Sequence, residues 1–183
     1  MPTTTHKKMT ADEFAQYAAE NGRCELIDGE VIPLSPTGGL HGDCTGRLHY
    51  FLYRFVDERD LGRVLAAETG FRLDGTEGPT VRAPDIAFIA KARAGAINRK
   101  FIPIPPDLAV ETLSPDDRAI EVGRKVQWWL DRGTRLVWVL DPENRTITAH
   151  TPGEKPVTFD AADTLTAGEV LPGFQLPLRE LFR

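Results

Sequence analysis

Two cysteines in 183 residues, Cys24 and Cys44, are too few for a disulfide framework, and neither belongs to a C-x-x-C pair. Both read as reduced core residues of a cytoplasmic protein. No apolar run approaches the ~20 residues that a bilayer span needs. The first ten residues, MPTTTHKKMT, carry no hydrophobic stretch of the secretory kind, so no membrane contact is expected. There is no Gly-rich loop ending in Gly-Lys-Ser/Thr, no G-x-S-x-G elbow and no His-Glu-x-x-His, which sets aside P-loop, α/β-hydrolase and zincin chemistry. His6, His49 and His150 stand without partners at metal-ligand spacing. An excess of basic charge is also missing: 22 Lys and Arg face 27 Asp and Glu, a net charge of −5. That excludes a surface coated for nonspecific nucleic-acid binding and leaves room for a local basic patch. No internal repeat, low-complexity tract or linker interrupts the chain, so residues 1–183 are expected to form a single domain.

The composition that remains is globular, 41% hydrophobic and 27% charged. Thr10-Ala11-Asp12-Glu13 is a capping box, and Phe14, Tyr17 and Ala18 share a face before Gly22, which predicts a short helix over 11–21. Asp28-Gly29 is a two-residue hairpin signal between strands 23–28 and 30–34. Leu40, Cys44, Leu48, Leu52 and Phe55 recur near helical spacing and predict a long amphipathic helix ending at Gly62. Residues 63–73 and 80–90 read as two consecutive strands joined around Asp74-Gly75, and 91–106 as a polar, Pro-rich loop of functional length. After a strand through residue 113, Ser114-Pro115-Asp116-Asp117 supplies capping chemistry for a helix carrying Ile120, Val126, Trp129 and Leu130 as far as Asp131. A strand at 135–140 follows. Strand, helix, strand implies a right-handed crossover between parallel strands, so the sheet is mixed. The tryptophans Trp128, Trp129 and Trp138 sit in segments apolar enough to be core rather than base-stacking platforms.

Two carboxylates interrupt this apolar pattern. Asp85 opens the run Ile86-Ala87-Phe88-Ile89-Ala90, and Glu111 is embedded in Leu108-Ala109-Val110 and Thr112-Leu113. Burying a charge costs several kcal/mol unless it is paired or bound to a metal, so a glutamate among aliphatic residues implies a cation. Strands lie about 4.8 Å apart, and two carboxylates on neighbouring strands can hold one Mg²⁺, which takes oxygen ligands and keeps several waters.

Pro84-Asp85, then Glu111-Thr112-Leu113-Ser114-Pro115, Lys125 and Val137-Trp138-Val139-Leu140-Asp141-Pro142 resemble the "putative restriction endonuclease" family of the PD-(D/E)XK nuclease superfamily. Cys24-Glu25-Leu26-Ile27-Asp28-Gly29-Glu30, Ser35-Pro36, His41 and Leu171-Pro172-Gly173-Phe174 fit in the same order, so the likeness spans nearly the whole chain. One departure stands out. A Glu-x-Lys motif would place lysine at 113, where this chain has Leu113, and the resemblance moves the role to Lys125 on the following helix. The resemblance implies an α/β fold in which a mixed central β-sheet is flanked by helices, a restriction-endonuclease-like core. It implies Mg²⁺-dependent (or Mn²⁺-dependent) hydrolysis of DNA phosphodiester bonds by a homodimer, with Asp85 and Glu111 as metal ligands and Lys125 completing the catalytic set.

Glu25 and His41 are supporting candidates. Glu25 lies on an alternating strand, as an edge-strand charge or as a support for a metal or water. His41 opens the long helix, either exposed there or set to polarise a phosphate or bind a water. Arg93, Arg99, Lys100, Arg118 and Arg124 are candidates for a basic rim. Two competing expectations remain: a non-catalytic binding or regulatory protein that keeps the nuclease-like fold, and a structural oligomerisation module with no pocket.

Overall fold

The computed structural model describes residues 8–96, 98–115 and 117–183. In chain order its elements are α1 (Ala11–Asn21), β1 (Cys24–Ile27), β2 (Glu30–Pro33), α2 (Gly39–Glu58), β3 (Gly62–Ala66), β4 (Phe71–Arg72), β5 (Val81–Arg82) and β6 (Ile86–Ala90). There follow β7 (Leu108–Thr112), α3 (Ala119–Asp131), β8 (Leu136–Asp141), β9 (Thr146–His150), β10 (Val157–Phe159), β11 (Thr164–Ala167), β12 (Leu171–Pro177) and α4 (Leu178–Leu181). Among the described residues no helix is long and apolar enough to cross a membrane. The chain divides into two compact units, each assembled from separate stretches of sequence.

The first unit takes the described residues up to Pro36 together with Glu68–Ala83 and Lys100–Ile104. Its helix starts where the capping box demands: Thr10 Oγ1 accepts the Glu13 N–H at 3.2 Å, and Glu13 Oε2 accepts the Thr10 N–H at 2.8 Å. Ala11 and Phe14 pack with Leu26 and Val81 in a small core. Strands run in the order β2-β1-β5-β4. The β1–β2 hairpin turns on Asp28 and Gly29, both at positive φ (51° and 83°), as a two-residue primed turn requires.

The second unit takes Thr37–Ala67, Pro84–Arg99 and Pro105–Arg183. Six strands in the order β10-β9-β8-β7-β6-β3 form a mixed sheet, in which β7 and β8 are parallel and every other pair is antiparallel. α3 makes the crossover between the parallel strands. α2 lays Cys44, Leu48, Leu52 and Val56, one turn apart, into a core with Phe88, Val110, Trp138 and Phe174. Leu48 and Leu52 are fully buried, and each such side chain contributes about 1.5–3 kcal/mol. This is the expected α/β architecture with a mixed sheet and flanking helices.

Four local expectations need correction. The strand expected over 63–73 is broken at Glu68 (φ 69°) into β3 and β4, which belong to different sheets. The strand expected over 80–90 is likewise divided into β5 and β6, on either side of Pro84, whose ring removes a ladder N–H. α2 stops at Glu58 rather than Gly62, because Asp60 takes the left-handed conformation (φ 50°) that a helix-ending residue usually provides. α3 begins at Ala119 with Arg118 as an N-cap that makes no side-chain cap bond; Asp117 instead closes a tight turn by accepting the Ser114 N–H at 2.7 Å. Ile120 then points to solvent, 64% exposed, instead of into the core. Asp116 lies outside the described residues.

Candidate active site

The topology of the second unit brings charged groups to one end of the sheet. β6 runs antiparallel to β7, so the N-terminal end of β6 lies beside the C-terminal end of β7. In sheets of this kind, chemistry gathers at the carboxyl ends of the parallel strands. Asp85 is fastened on both sides of Glu111: its N–H donates to Val110 O at 3.0 Å, and its Oδ2 accepts the Thr112 N–H at 2.8 Å. α3 then returns from the end of β7 and places the Lys125 ammonium 2.8 Å from Glu111 Oε2.

Glu111 is 7% exposed, and both of its oxygens are engaged. Oε2 meets Lys125, and Oε1 accepts the indole N–H of Trp129 at 2.7 Å. Trp129 is fully buried, as the apolar character of its helix predicts. Its polar contact is not part of that expectation, although Lys125 and Trp129 stand four residues apart and so share a helix face.

His41 is buried in the first turn of α2, with its Nε2 3.5 Å from Asp85 Oδ2. Burial pushes the Asp85 carboxyl up. The His41 contact, the Thr112 N–H and the charges of His41 and Lys125 outweigh it and hold the carboxyl below its ordinary range. Lys125 therefore acts on both carboxylates. Thr45 of α2 and Thr112 of β7 share a hydroxyl hydrogen bond of 2.8 Å, tying the helix that carries His41 to the strand that carries Glu111.

The structure thus gathers Asp85, Glu111, Lys125 and His41 within one unit. Glu25 belongs to the other unit, where its carboxylate is 3% exposed and bonds the Arg82 guanidinium at 3.1 Å and the Ala83 N–H at 3.3 Å. It is not an edge-strand charge, since β1 lies between β2 and β5. Arg93 pairs with Asp107: its Nη1 lies 2.7 Å from that fully buried carboxylate at the start of β7, the end opposite Glu111.

Among the described residues no group of three or more His, Cys, Asp and Glu side chains is arranged to hold a metal ion. A divalent ion here would depend on two carboxylates and on water, which suits Mg²⁺, an ion that binds through one or two carboxylates and retains waters. The contacts of Asp85 with Thr112 and His41 are both made by Oδ2, and its side chain is 14% exposed.

Comparison with known proteins agrees with the fold and with the family resemblance. No protein of curated function matches the chain. The crystal structure of a "putative nuclease belonging to DUF820" from Anabaena variabilis superposes with a TM-score of 0.80 at 23% identity, covering 95% of this chain and 97% of that one. A cryo-EM structure of a DrdV–DNA complex gives a TM-score of 0.35 at 16% identity, over 78% of this chain and 95% of that one, too loose a likeness to bear on the fold. The model of the Uma2 family, described as "Putative restriction endonuclease", matches residues 11–179. With that match covering nearly its full length, the chain belongs to the Uma2 family.

Proposed function

We propose that this chain is a divalent-metal-dependent nuclease that hydrolyses phosphodiester bonds in DNA. The observation that carries the reading is the convergence of Asp85, Glu111 and Lys125 at one end of the sheet, in a chain of a family described as restriction endonucleases. Asp85 and Glu111 are the residues that would hold Mg²⁺ or Mn²⁺. When bound, such an ion lowers the pKa of a coordinated water and neutralises charge on the scissile phosphate.

The remaining roles belong to the chain's own side chains. The Thr112 N–H and His41 fix the rotation of Asp85 and keep it ionised. Lys125 supplies the countercharge of Glu111 in a nearly closed setting. An ammonium has three donors, which lets Lys125 serve Glu111 together with a phosphate oxygen or the attacking water. Because it is a compact point charge, it suits the spread charge of a phosphoryl transition state. The homodimer implied by the family likeness would provide one such site for each strand of a duplex; light scattering on the purified protein tests it.

A second reading has its own observation. Both oxygens of Glu111 already have donors in Trp129 and Lys125, so Glu111 is satisfied without a metal, as a non-catalytic binding protein on this fold would need. A supercoiled-plasmid nicking assay with Mg²⁺ or Mn²⁺, paired with calorimetric titration of the same ions, separates the two. Metal binding and metal-dependent nicking by the wild type, both abolished in Asp85→Asn, support the nuclease. A folded protein that binds neither ion and cuts nothing refutes it.

A further inference from the structure

The Trp129 indole is in an unusual position for a core tryptophan. It is fully buried, yet its N–H donates at 2.7 Å to Oε1 of a carboxylate that is itself almost closed to solvent. Lys125, one turn earlier on α3, takes the other oxygen at 2.8 Å. Two donors at i and i+4 on one helix therefore grip the two oxygens of one side chain, which restrains the carboxylate plane against rotation. Trp128 lies edge-on against Trp129, with ring centroids 4.7 Å apart, and helps keep the indole from tilting away.

The two grips differ in kind. Lys125 ends a flexible stem that is 26% exposed, so its ammonium can give way when a ligand arrives. The indole is a rigid plane with no solvent to turn to. When Lys125 moves, Trp129 still holds Oε1 and so directs Oε2.

We propose that Trp129 is a positioning residue: its indole N–H holds the Glu111 carboxylate by Oε1 so that Oε2 is presented toward Asp85 for a divalent cation. This rests on the metal reading of Asp85 and Glu111 given above. Donors behind ligating carboxylates typically account for roughly 10–100-fold in metal affinity, and an effect of that order is expected here.

The experiment replaces Trp129 with 3-benzothienylalanine, an isostere in which sulfur takes the place of the N–H, introduced at this position alone, beside Trp129→Phe. Mn²⁺ is titrated by calorimetry, and thermal unfolding is followed in excess chelator. The isostere should unfold within a few degrees of the wild type while binding Mn²⁺ about tenfold or more weakly, and Trp129→Phe should show the same weakening whatever its loss of stability. Wild-type Mn²⁺ affinity in the folded isostere overturns the positioning role and leaves the nuclease reading intact. A wild-type protein that binds no Mn²⁺ overturns both. Tighter binding in the isostere also overturns the proposal, because the indole would then be competing with the metal.

Discussion

Replacing Glu111 by glutamine removes the charge and keeps the shape, and the contacts of Glu111 set the size of the effect. The amide oxygen of the Glu111→Gln side chain can still accept the Trp129 N–H, so its NH₂ group would face the Lys125 ammonium, donor against donor. Lys125 is 26% exposed and can turn to water. The loss is therefore one charge-assisted hydrogen bond, ~1.5–3 kcal/mol, below the ~3–5 kcal/mol of breaking a fully buried pair. For a chain of this size 1 kcal/mol moves the midpoint by about 2–4 °C, so unfolding in chelator should begin on the order of 5 °C earlier in Glu111→Gln. Adding Mn²⁺ should then separate the proteins further. A ligand at a hundredfold excess over its Kd stabilises the native state by about 2.7 kcal/mol, so the wild-type midpoint should climb and that of Glu111→Gln stay flat, with nicking abolished. Equal Mn²⁺-induced climbs, or nicking retained by the variant, would show that Glu111 is only one half of a structural ion pair and would sink the catalytic assignment.

Lys125→Met keeps the apolar stem and removes the ammonium; it should retain Mn²⁺ binding and lose nicking by roughly 10²-fold or more, and full activity in a plasmid assay would exclude Lys125 from the chemistry. Asp74 is held below the ordinary carboxylate range first by its hydrogen bond to Arg72 and then, against burial, by the Thr80 N–H and the Arg72 charge. A lowered folded pKa stabilises the protein above the unfolded value, about 3.9, and this stability is lost as pH falls through the folded value. Urea unfolding should therefore show a gap between wild type and Asp74→Asn at pH 7 that narrows by pH 3, and a pH-independent gap would contradict the assignment. Gly62 sits at φ 154°, and a Cβ there would lie 2.1 Å from the carbonyl oxygen of Ile89 on the paired strand. Gly62→Ala should displace the β3–β6 edge and lower the melting midpoint well beyond the effect of an exposed substitution such as Gly95→Ala, whose Cβ meets nothing within 4 Å; equal midpoints would count against that close approach.

What the sequence reveals about such a site depends on whether the governing contact is local. Leu48 and Leu52 announce a buried helix face because their spacing is a property of α2 itself, and Thr10 with Glu13 announces where α1 starts for the same reason. The breaks inside 63–73 and 80–90 are not announced in that way. Each half has strand character, and assignment to one sheet or the other depends on partners outside the segment itself: β3 with β6, and β4 with β5. The carboxylates make the point most sharply. Asp107 and Glu111 are four residues apart at opposite ends of one apolar segment, and both are buried. By the argument that a buried charge needs a cation, each is an equally good candidate site. Asp107 is answered by Arg93 at 2.7 Å and Arg135 at 3.7 Å, and by the Ala90 N–H at 2.8 Å. Arginine is permanently charged and its guanidinium is a planar fork matched to carboxylate geometry, so that end of β7 is locked. Glu111 is answered by a lysine that reaches water, with a second carboxylate alongside. A pair of carboxylates sharing a mobile ammonium leaves negative charge for a further cation to neutralise, which is the physical distinction between the site end of β7 and its structural end. That distinction rests on partners at 85, 93, 125 and 135, separated from the strand by loops and a helix, and so becomes visible only once the chain is folded.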